Sequence, residues 1–483
     1  MGFTLGIDLG TSACKATLLS ENGGTVTAVS GAYAVSVPEA GRAEQSPSDW
    51  WAATVSAVQR ALVAAEARAQ DVRAVGLTGQ MHSLVVLGDA GQVLRPAILW
   101  SDKRAGVQCR EARRVLPDLE TITENPLIPA FTLPQLLWIR DNEPEVYRQV
   151  AHVLVPKDWL RWEMTGALVT EPSDASGTAM FDVHQRQWSP RITREFEVPE
   201  AWLPECVPST AVSGALTKRA ADALRLADRI PVIAGAGDQA AQAVAVGAIV
   251  PGVLGITIGT SGVVVLTSLS PVHGAFCHAL EDRWLRLNSM HAAGLSLTWY
   301  RDTFEPGASL TELTAQAERV SDGSDGLLFL PFLLGEREAT EPTIPGGFLG
   351  VTPGHSAAHF VRAVLEGVAC EIRRMVEGWT REGAAITEVR FSGGGSRSPL
   401  WRRLLADVLD LPVSATTRDA SYGAALLAGV AAGWWSSVDQ AADLLGDRVD
   451  TVAPNQERAR RLDATFHEYL DGVHRLERTP RLT

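Results

Sequence analysis

Thr4-Leu-Gly-Ile-Asp8 reads as a buried strand, Gly10-Thr-Ser12 as a tight turn, and Lys15-Ala-Thr-Leu-Leu19 as the strand that returns. The unit is a hairpin with a polar tip. It recurs in the second half of the chain as Gly255-Ile-Thr-Ile258, Gly259-Thr-Ser-Gly262 and Val263-Val-Val-Leu266. Two related halves are therefore expected. Between the hairpins, helical patterns (Pro47 to Ala69, Phe131 to Asp141) alternate with strand-like runs (Ala74 to Thr78, Val153 to Val155, Pro231 to Ala234), which predicts α/β layering. Downstream, Phe360, Val364, Val368, Ile372 and Trp379 mark one face of a long helix, and Val389-Arg-Phe-Ser392 then runs into a glycine cluster. The domain boundary is expected near Gly247 to Pro251, giving an N-terminal domain 1–248 and a C-terminal domain 249–483.

Composition narrows the function classes. With 483 residues and 46% hydrophobic content the chain can bury a large core. A formal net charge of -13 argues against a nucleic-acid partner, because phosphate-tracking surfaces concentrate Lys and Arg. The only lysines are Lys15, Lys103, Lys157 and Lys218, and none follows a glycine, so the G-x-x-x-x-G-K-[ST] phosphate loop cannot occur. Five scattered cysteines without a C-x-x-C pair suit reduced thiols in the cytoplasm. Met1 to Leu9 does not read as a secretory signal. The apolar stretch Ala240 to Ile258 is broken at Pro251-Gly252, so it predicts a buried helix, Ala240 to Val250, a turn and a buried strand, not a membrane span.

Several segments carry chemistry. The tips Gly10-Thr11-Ser12 and Gly259-Thr260-Ser261-Gly262 offer backbone N–H groups and hydroxyls, with glycines that allow close approach, and such turns cradle phosphate oxygens. One copy alone is ordinary turn chemistry; two copies, one per half, favour phosphate. In Phe391-Ser-Gly393-Gly394-Gly395-Ser-Arg-Ser398 a strand empties into three glycines before a helix near Pro399, leaving room for a flat ring, or simply making a flexible loop. Asp8 beside the first tip fits a metal-positioning carboxylate between itself and phosphates, against the alternative of a turn cap. Asp238, after Val232-Ile-Ala-Gly-Ala-Gly237, fits an acceptor for a hydroxyl proton; local sequence alone reads it as a helix N-cap.

Two competitors share these residues. Gly235-Ala-Gly237-Asp-Gln-Ala240 also fits the G-x-G-x-x-A dinucleotide fingerprint, but no Asp or Glu lies between Asp238 and Glu281 for the ribose. A sugar-binding protein without catalysis would need neither Asp238 nor duplicated tips. No serine sits in G-x-S-x-G, and His355 and His359 lack the glutamate of H-E-x-x-H; a capping or solvated role suits that pair better than a metal.

Taken together, Gly6-Ile-Asp-Leu-Gly-Thr-Ser12, Gly79-Gln-Met-His82, Pro96-Ala-Ile-Leu-Trp-Ser-Asp102, Pro156-Lys-Asp-Trp-Leu160, Ser173-Asp-Ala-Ser-Gly177, Gly237-Asp238, Gly259-Thr-Ser-Gly262, Phe276-Cys-His-Ala279 and Gly393-Gly-Gly395 resemble the FGGY carbohydrate kinases, and within them the xylulokinases, over nearly the whole chain. The resemblance implies an α/β fold of two ribonuclease H-like (actin-like ATPase) domains with a central cleft, sugar held by the N-terminal domain and ATP by the C-terminal one. It implies Asp238 as catalytic base, Met81 and His82 on the sugar, and Trp100, Asp102 and Gln239 at its pocket. Thr260 and Ser261 would meet the terminal phosphates, Gly394 and Gly395 the adenosine, and Mg²⁺ would lie near Asp8. The implied reaction converts D-xylulose to D-xylulose 5-phosphate, with domain closure on the sugar assembling the site. The implied partners are a small sugar and ATP, with neither nucleic acid nor membrane, and a homodimer is the assembly to look for. Three departures bear on substrate: Gln239 where xylulokinases carry Asn, Ser83 where they carry Gly, and Glu338 where they carry Thr. Gln beside the base resembles glycerol kinases, whereas Gln80-Met-His82 does not, so D-xylulose stands first and another pentulose or polyol second.

Overall fold

The computed structural model describes residues 2–335, 344–445 and 449–477; Glu338 lies outside them. The first hairpin forms between Phe3–Leu9 and Cys14–Ser20, paired antiparallel with Asp8 opposite Lys15. It sits in a sheet whose order is Thr25–Val29, Cys14–Ser20, Phe3–Leu9, Val72–Gly79, Pro231–Ile233, Val212–Ala215. Pairing along that order is antiparallel twice, then parallel twice, then antiparallel. The parallel step from Phe3–Leu9 to Val72–Gly79 needs a crossover, and the helix Pro47–Ala64 supplies it with Trp50, Ala57 and Val58 buried against the strands.

The second sheet repeats the scheme through Trp284–Met290, Gly262–Ser268, Val253–Ile258, Glu388–Ser392, Val413–Ala415 and Val449–Val452. Its central hairpin is antiparallel, its next two pairings parallel, and its last antiparallel. Its crossover is the helix Ala357–Arg381, on which Val364, Val368, Ile372 and Trp379 are buried and Phe360 partly so. Each sheet thus has the ribonuclease H-like order, and the two halves expected from the repeated hairpins are present. Boundaries differ locally: the helix expected to reach Ala69 stops at Ala64, before Glu66 turns left-handed, and the one expected over Ala240 to Val250 runs Asp238–Val246, ended by Gly247 at φ 76°.

The chain divides into two compact units, but not at a single point. The first comprises Met1–Ala245, Ser268–Arg286 and Arg418–Gly446, and the second Val246–Thr267, Leu287–Thr417 and Asp447–Thr483. A division into 1–248 and 249–483 misses the two later segments that return to the first unit. The cause of one return is visible in its packing. The helix Ala420–Ala431 lies against the first sheet so closely that a Cβ on Gly6 would overlap the carbonyl oxygen of Ser421, and one on Gly76 that of Ala424. Gly423 in turn lies on the backbone of Ala241. Glycine at these three positions is what lets backbone meet backbone. Among the described residues no helix is long and apolar enough to cross a membrane.

Candidate active site

Three strand ends of the first unit stand level. Asp8 pairs with Thr78 and Thr78 with Ala236; Leu9 pairs with Gly79 and Gly79 with Gly237. Gly10, Gln80 and Asp238 therefore follow at the carboxyl edge of the sheet, the edge where open α/β sheets bind ligands. Asp238 is the first residue of its helix, not its N-cap. The strand reaches that point through a bulge: Val232 pairs with Val75 but Ala236 with Thr78, and the extra residue is taken up at Gly235, φ 79°, where a Cβ would overlap the carbonyl of Leu77.

Met81 comes against this segment. A Cβ on Gly237 would stand 2.9 Å from Met81 Cγ and 3.0 Å from Sδ. His82 follows in the left-handed region at φ 71°, a conformation non-glycine residues hold only when surroundings impose it. Here the Thr132 hydroxyl donates to the His82 carbonyl at 2.8 Å, and the ring lies 4.8 Å from Phe131 and 5.7 Å from Phe276, centre to centre. Nδ1 is 2.8 Å from the carbonyl of Gly177, which can only accept, so Nδ1 carries a proton. Phe276 belongs to the family motif Phe276-Cys-His-Ala279, whereas Phe131, a buried aromatic at the start of a helical pattern, had no sequence signal to separate it from core.

Trp100 joins the same wall. Its indole donates to the Thr11 hydroxyl at 3.0 Å, Thr11 donates to Gln80 Oε1 at 3.3 Å, and Gln80 donates to Gln45 at 3.2 Å. The Ser83 hydroxyl accepts from the backbone N–H of Trp100 at 2.9 Å, a bond that glycine at this position could not make. Asp102 is buried, and its carboxylate accepts from Ala43 N at 2.6 Å and from the Arg104 backbone and guanidinium at 2.7–3.0 Å. These bonds tie the segment that carries Trp100 to Ala43 and Arg104. The side chain of Thr11 thus bridges Trp100 and Gln80. Gln239 sits half-buried on the first turn after Asp238.

The electrostatics centre on Asp8. Burial first, then the carboxylates of Asp419 and Asp238, push its pKa up to about 7, with Lys15 opposing. Lys15 pairs with Asp419 at 2.9 Å; burial works against its charge, and Asp419 and Asp8 more than compensate, raising its pKa. Asp419 caps the helix Ala420–Ala431, accepting from the Ser421 N–H at 3.1 Å. Sequence reading passed over Lys15 and Asp419, although strand pairing sets Lys15 opposite Asp8 and Asp-x-Ser before an alanine-rich run is a cap signature.

The two tips are anchored alike. In the first, the carbonyls of Gly10, Thr11 and Ser12 accept from the Tyr33 hydroxyl, Gln45 Nε2 and the Tyr33 N–H. In the second, the carbonyls of Gly259 and Thr260 accept from the N–H groups of Gly294 and of Ala293 and Leu295, and that of Ser261 from Gly259. Thr257 pairs with Ser392, which brings the glycine cluster beside the second tip: a Cβ on Gly393, φ 81°, would meet the Ile258 carbonyl oxygen at 2.5 Å, and one on Gly395 the Ile258 side chain at 2.9 Å. Gly259 and Gly394 face open space instead. His355 and His359 act as caps, their Nδ1 atoms accepting from Thr352 and Ser356 N–H groups. Among the described residues no group of three or more His, Cys, Asp or Glu could hold a metal ion.

Residues 3–245 match the N-terminal domain, and residues 254–432 the C-terminal domain, of the FGGY family of carbohydrate kinases. The chain belongs to that family. This carbohydrate kinase is 33% identical over 480 residues to the xylulose kinase of Bacillus subtilis (strain 168), covering 97% of this chain and 96% of that one. It is 38% identical over 446 residues to the xylulose kinase of Escherichia coli (strain K12), covering 89% and 90%. The crystal structure of a xyloylose kinase from Brucella ovis superposes with a TM-score of 0.88 at 32% identity, covering 98% of this chain and 99% of that one. Family membership sets aside both the dehydrogenase reading of Gly235–Ala240 and the separate alternative of a non-enzymatic sugar-binding or scaffold protein.

Proposed function

We propose that this kinase transfers the γ-phosphoryl group of ATP to the terminal hydroxyl of D-xylulose, giving D-xylulose 5-phosphate in the cytoplasm. The observation that carries the reading is the contact of Met81 with Gly237, which joins the expected sugar-binding pair Met81 and His82 to the residue preceding Asp238. That relatives over nearly the whole chain are named xylulose kinases supports this sugar as the acceptor.

Asp238 accepts the proton of the hydroxyl as its oxygen attacks phosphorus, and the ring of His82, oriented by its Nδ1 bond to Gly177, hydrogen-bonds a sugar hydroxyl. Trp100 and Gln239 complete the pocket. Gly10 and the N–H groups of the first tip, with Gly259, Thr260 and Ser261 of the second, hold phosphate oxygens; carbonyls tied back into the protein keep those turns from presenting negative ends to an anion. Gly393, Gly394 and Gly395 give the adenosine a surface without side chains. Asp8, with the carboxylates of Asp419 and Asp238 near it, fits a divalent cation, and Mg²⁺ bound there would neutralise charge on the phosphates. Among the described residues no group of three or more such side chains could hold the ion, so coordination beyond Asp8 would fall to phosphate and water. Coupled ADP release with ATP, Mg²⁺ and each of D-xylulose, L-xylulose, the ribuloses, glycerol, pentitols and gluconate tests the reading. D-Xylulose should give the highest kcat/KM; a higher value for another acceptor reassigns the substrate.

A further inference from the structure

Gly237 must be small because Met81 lies on it, yet glycine is the residue whose backbone wanders most, and it directly precedes Asp238. Something else has to fix the chain there. Upstream, Ala234 N donates to Ala211 O and Gly235 N to Ser209 O, both at 2.9 Å. The carbonyl of Ala234 accepts from Lys157 Nζ at 3.2 Å and from Arg161 at 2.8 Å. These bonds stop at Gly235. The strand Ala236–Gly237 pairs with Val72–Gly79 on one side, and on the other the N–H of Gly237 donates to the hydroxyl oxygen of Ser173 at 2.9 Å.

We infer that Ser173 is a positioning residue for Asp238, acting through the backbone N–H of Gly237. Its hydroxyl is fully buried and cannot turn away, because its own proton is given to Glu171, 2.8 Å from either carboxylate oxygen. Glu171 is fixed in turn: it accepts the N–H groups of Ser173 and Asp174 at 2.8 and 2.9 Å and the Ser209 hydroxyl at 2.9 Å, with Lys157 Nζ 3.6 Å away. The chain Glu171–Ser173–Gly237 therefore supplies the restraint that a side chain at 237 would otherwise give. Sequence placed Ser173 in a family motif but assigned it no task.

The inference rests on Asp238 being the base, and its test separates the two. Ser173→Ala and Ser209→Ala each delete one hydroxyl bonded to Glu171, but only Ser173 touches Gly237. Ser173→Ala should lower kcat about 10- to 100-fold, since small misplacements of reacting groups have effects of that size. The KM values for sugar and ATP should stay within about threefold, as expected for an interaction that matters mainly in the transition state. Ser209→Ala should keep kcat while lowering Tm comparably. Ser173→Cys, nearly isosteric and a weaker acceptor, should fall between and guards against a misfolded alanine variant. Equal loss of kcat in both alanine variants, or unchanged kcat in Ser173→Ala while Asp238→Asn is inactive, overturns the inference. An active Asp238→Asn overturns the base assignment itself.

Discussion

Met81 and Gly237 are in contact across a gap that no added methyl could enter: a Cβ at Gly237 would stand 2.9 Å from Met81 Cγ. Met81, the proposed sugar contact, and the backbone that precedes Asp238 thus share one packing contact. Gly237→Ala should displace Met81 and raise the sugar KM, with a stability loss of about 1–3 kcal/mol typical of overpacking. ATP affinity, measured by titration without sugar, should be unchanged. A normal sugar KM in this variant would detach Met81 from the pocket.

Asp238→Asn keeps the shape of the side chain and removes its basicity. Turnover should drop by roughly 10²-fold or more, while sugar and ATP still bind. Steady-state kinetics paired with calorimetry reads both quantities, and turnover near that of the parent removes Asp238 from the mechanism.

His82→Ala deletes a hydrogen-bonding ring from the proposed site for sugar hydroxyls. An unpaired buried hydroxyl costs about 1–3 kcal/mol, so the sugar KM should rise about 5- to 150-fold. ATP binding without sugar should hardly move. Equal losses for both ligands would make His82 a structural residue.

Gly259 is the cleaner of the two phosphate-tip glycines, since a Cβ there meets nothing within the protein whereas one on Gly10 lies 3.1 Å from the Ala13 carbonyl. Gly259→Val should therefore weaken MgATP binding and leave Tm and sugar binding intact. If nucleotide affinity is retained, phosphate does not approach that turn.

Asp8 predicts a pH dependence of unusual sign for a carboxylate. Its pKa is about 7 in the fold against 3.8 for the ordinary group, with burial the largest cause, so the folded state holds the extra proton between those values. Stability from this group falls as pH rises through the window and is lowest above pH 7, an effect on the order of a few kcal/mol that partial exposure of Asp8 reduces. Without metal or nucleotide, Asp8→Asn should raise Tm at pH 8 and gain progressively less toward pH 5. A gap independent of pH would assign the effect to packing.

Much of this was legible in the chain. The two hairpins lie in short contiguous motifs, whose local conformation follows from their own residues. What was not legible depends on partners far away. Trp100 donates to the Thr11 hydroxyl across 89 positions, and Ala43 donates to the Asp102 carboxylate across 59. Lys15 acquires its partner Asp419 across 404 positions. No periodicity announces such pairs, because each half is a common residue with an ordinary surface role.

The helix Ala420–Ala431 has a consequence for how the protein is made. Thr4 on the first strand donates to the carbonyl of Ala425, 421 positions later, and Gly6 and Gly76 are shaped for that helix. During synthesis the first sheet emerges long before the segment that covers it, leaving a glycine-lined apolar face open to the ribosomal exit environment while several hundred residues follow. Closing so long a loop is entropically slow to nucleate, although lengthening it further adds little. The nascent N-terminal half is thus the stage at which chaperone engagement and aggregation compete, and its maturation is gated by translation of the very segment that completes it.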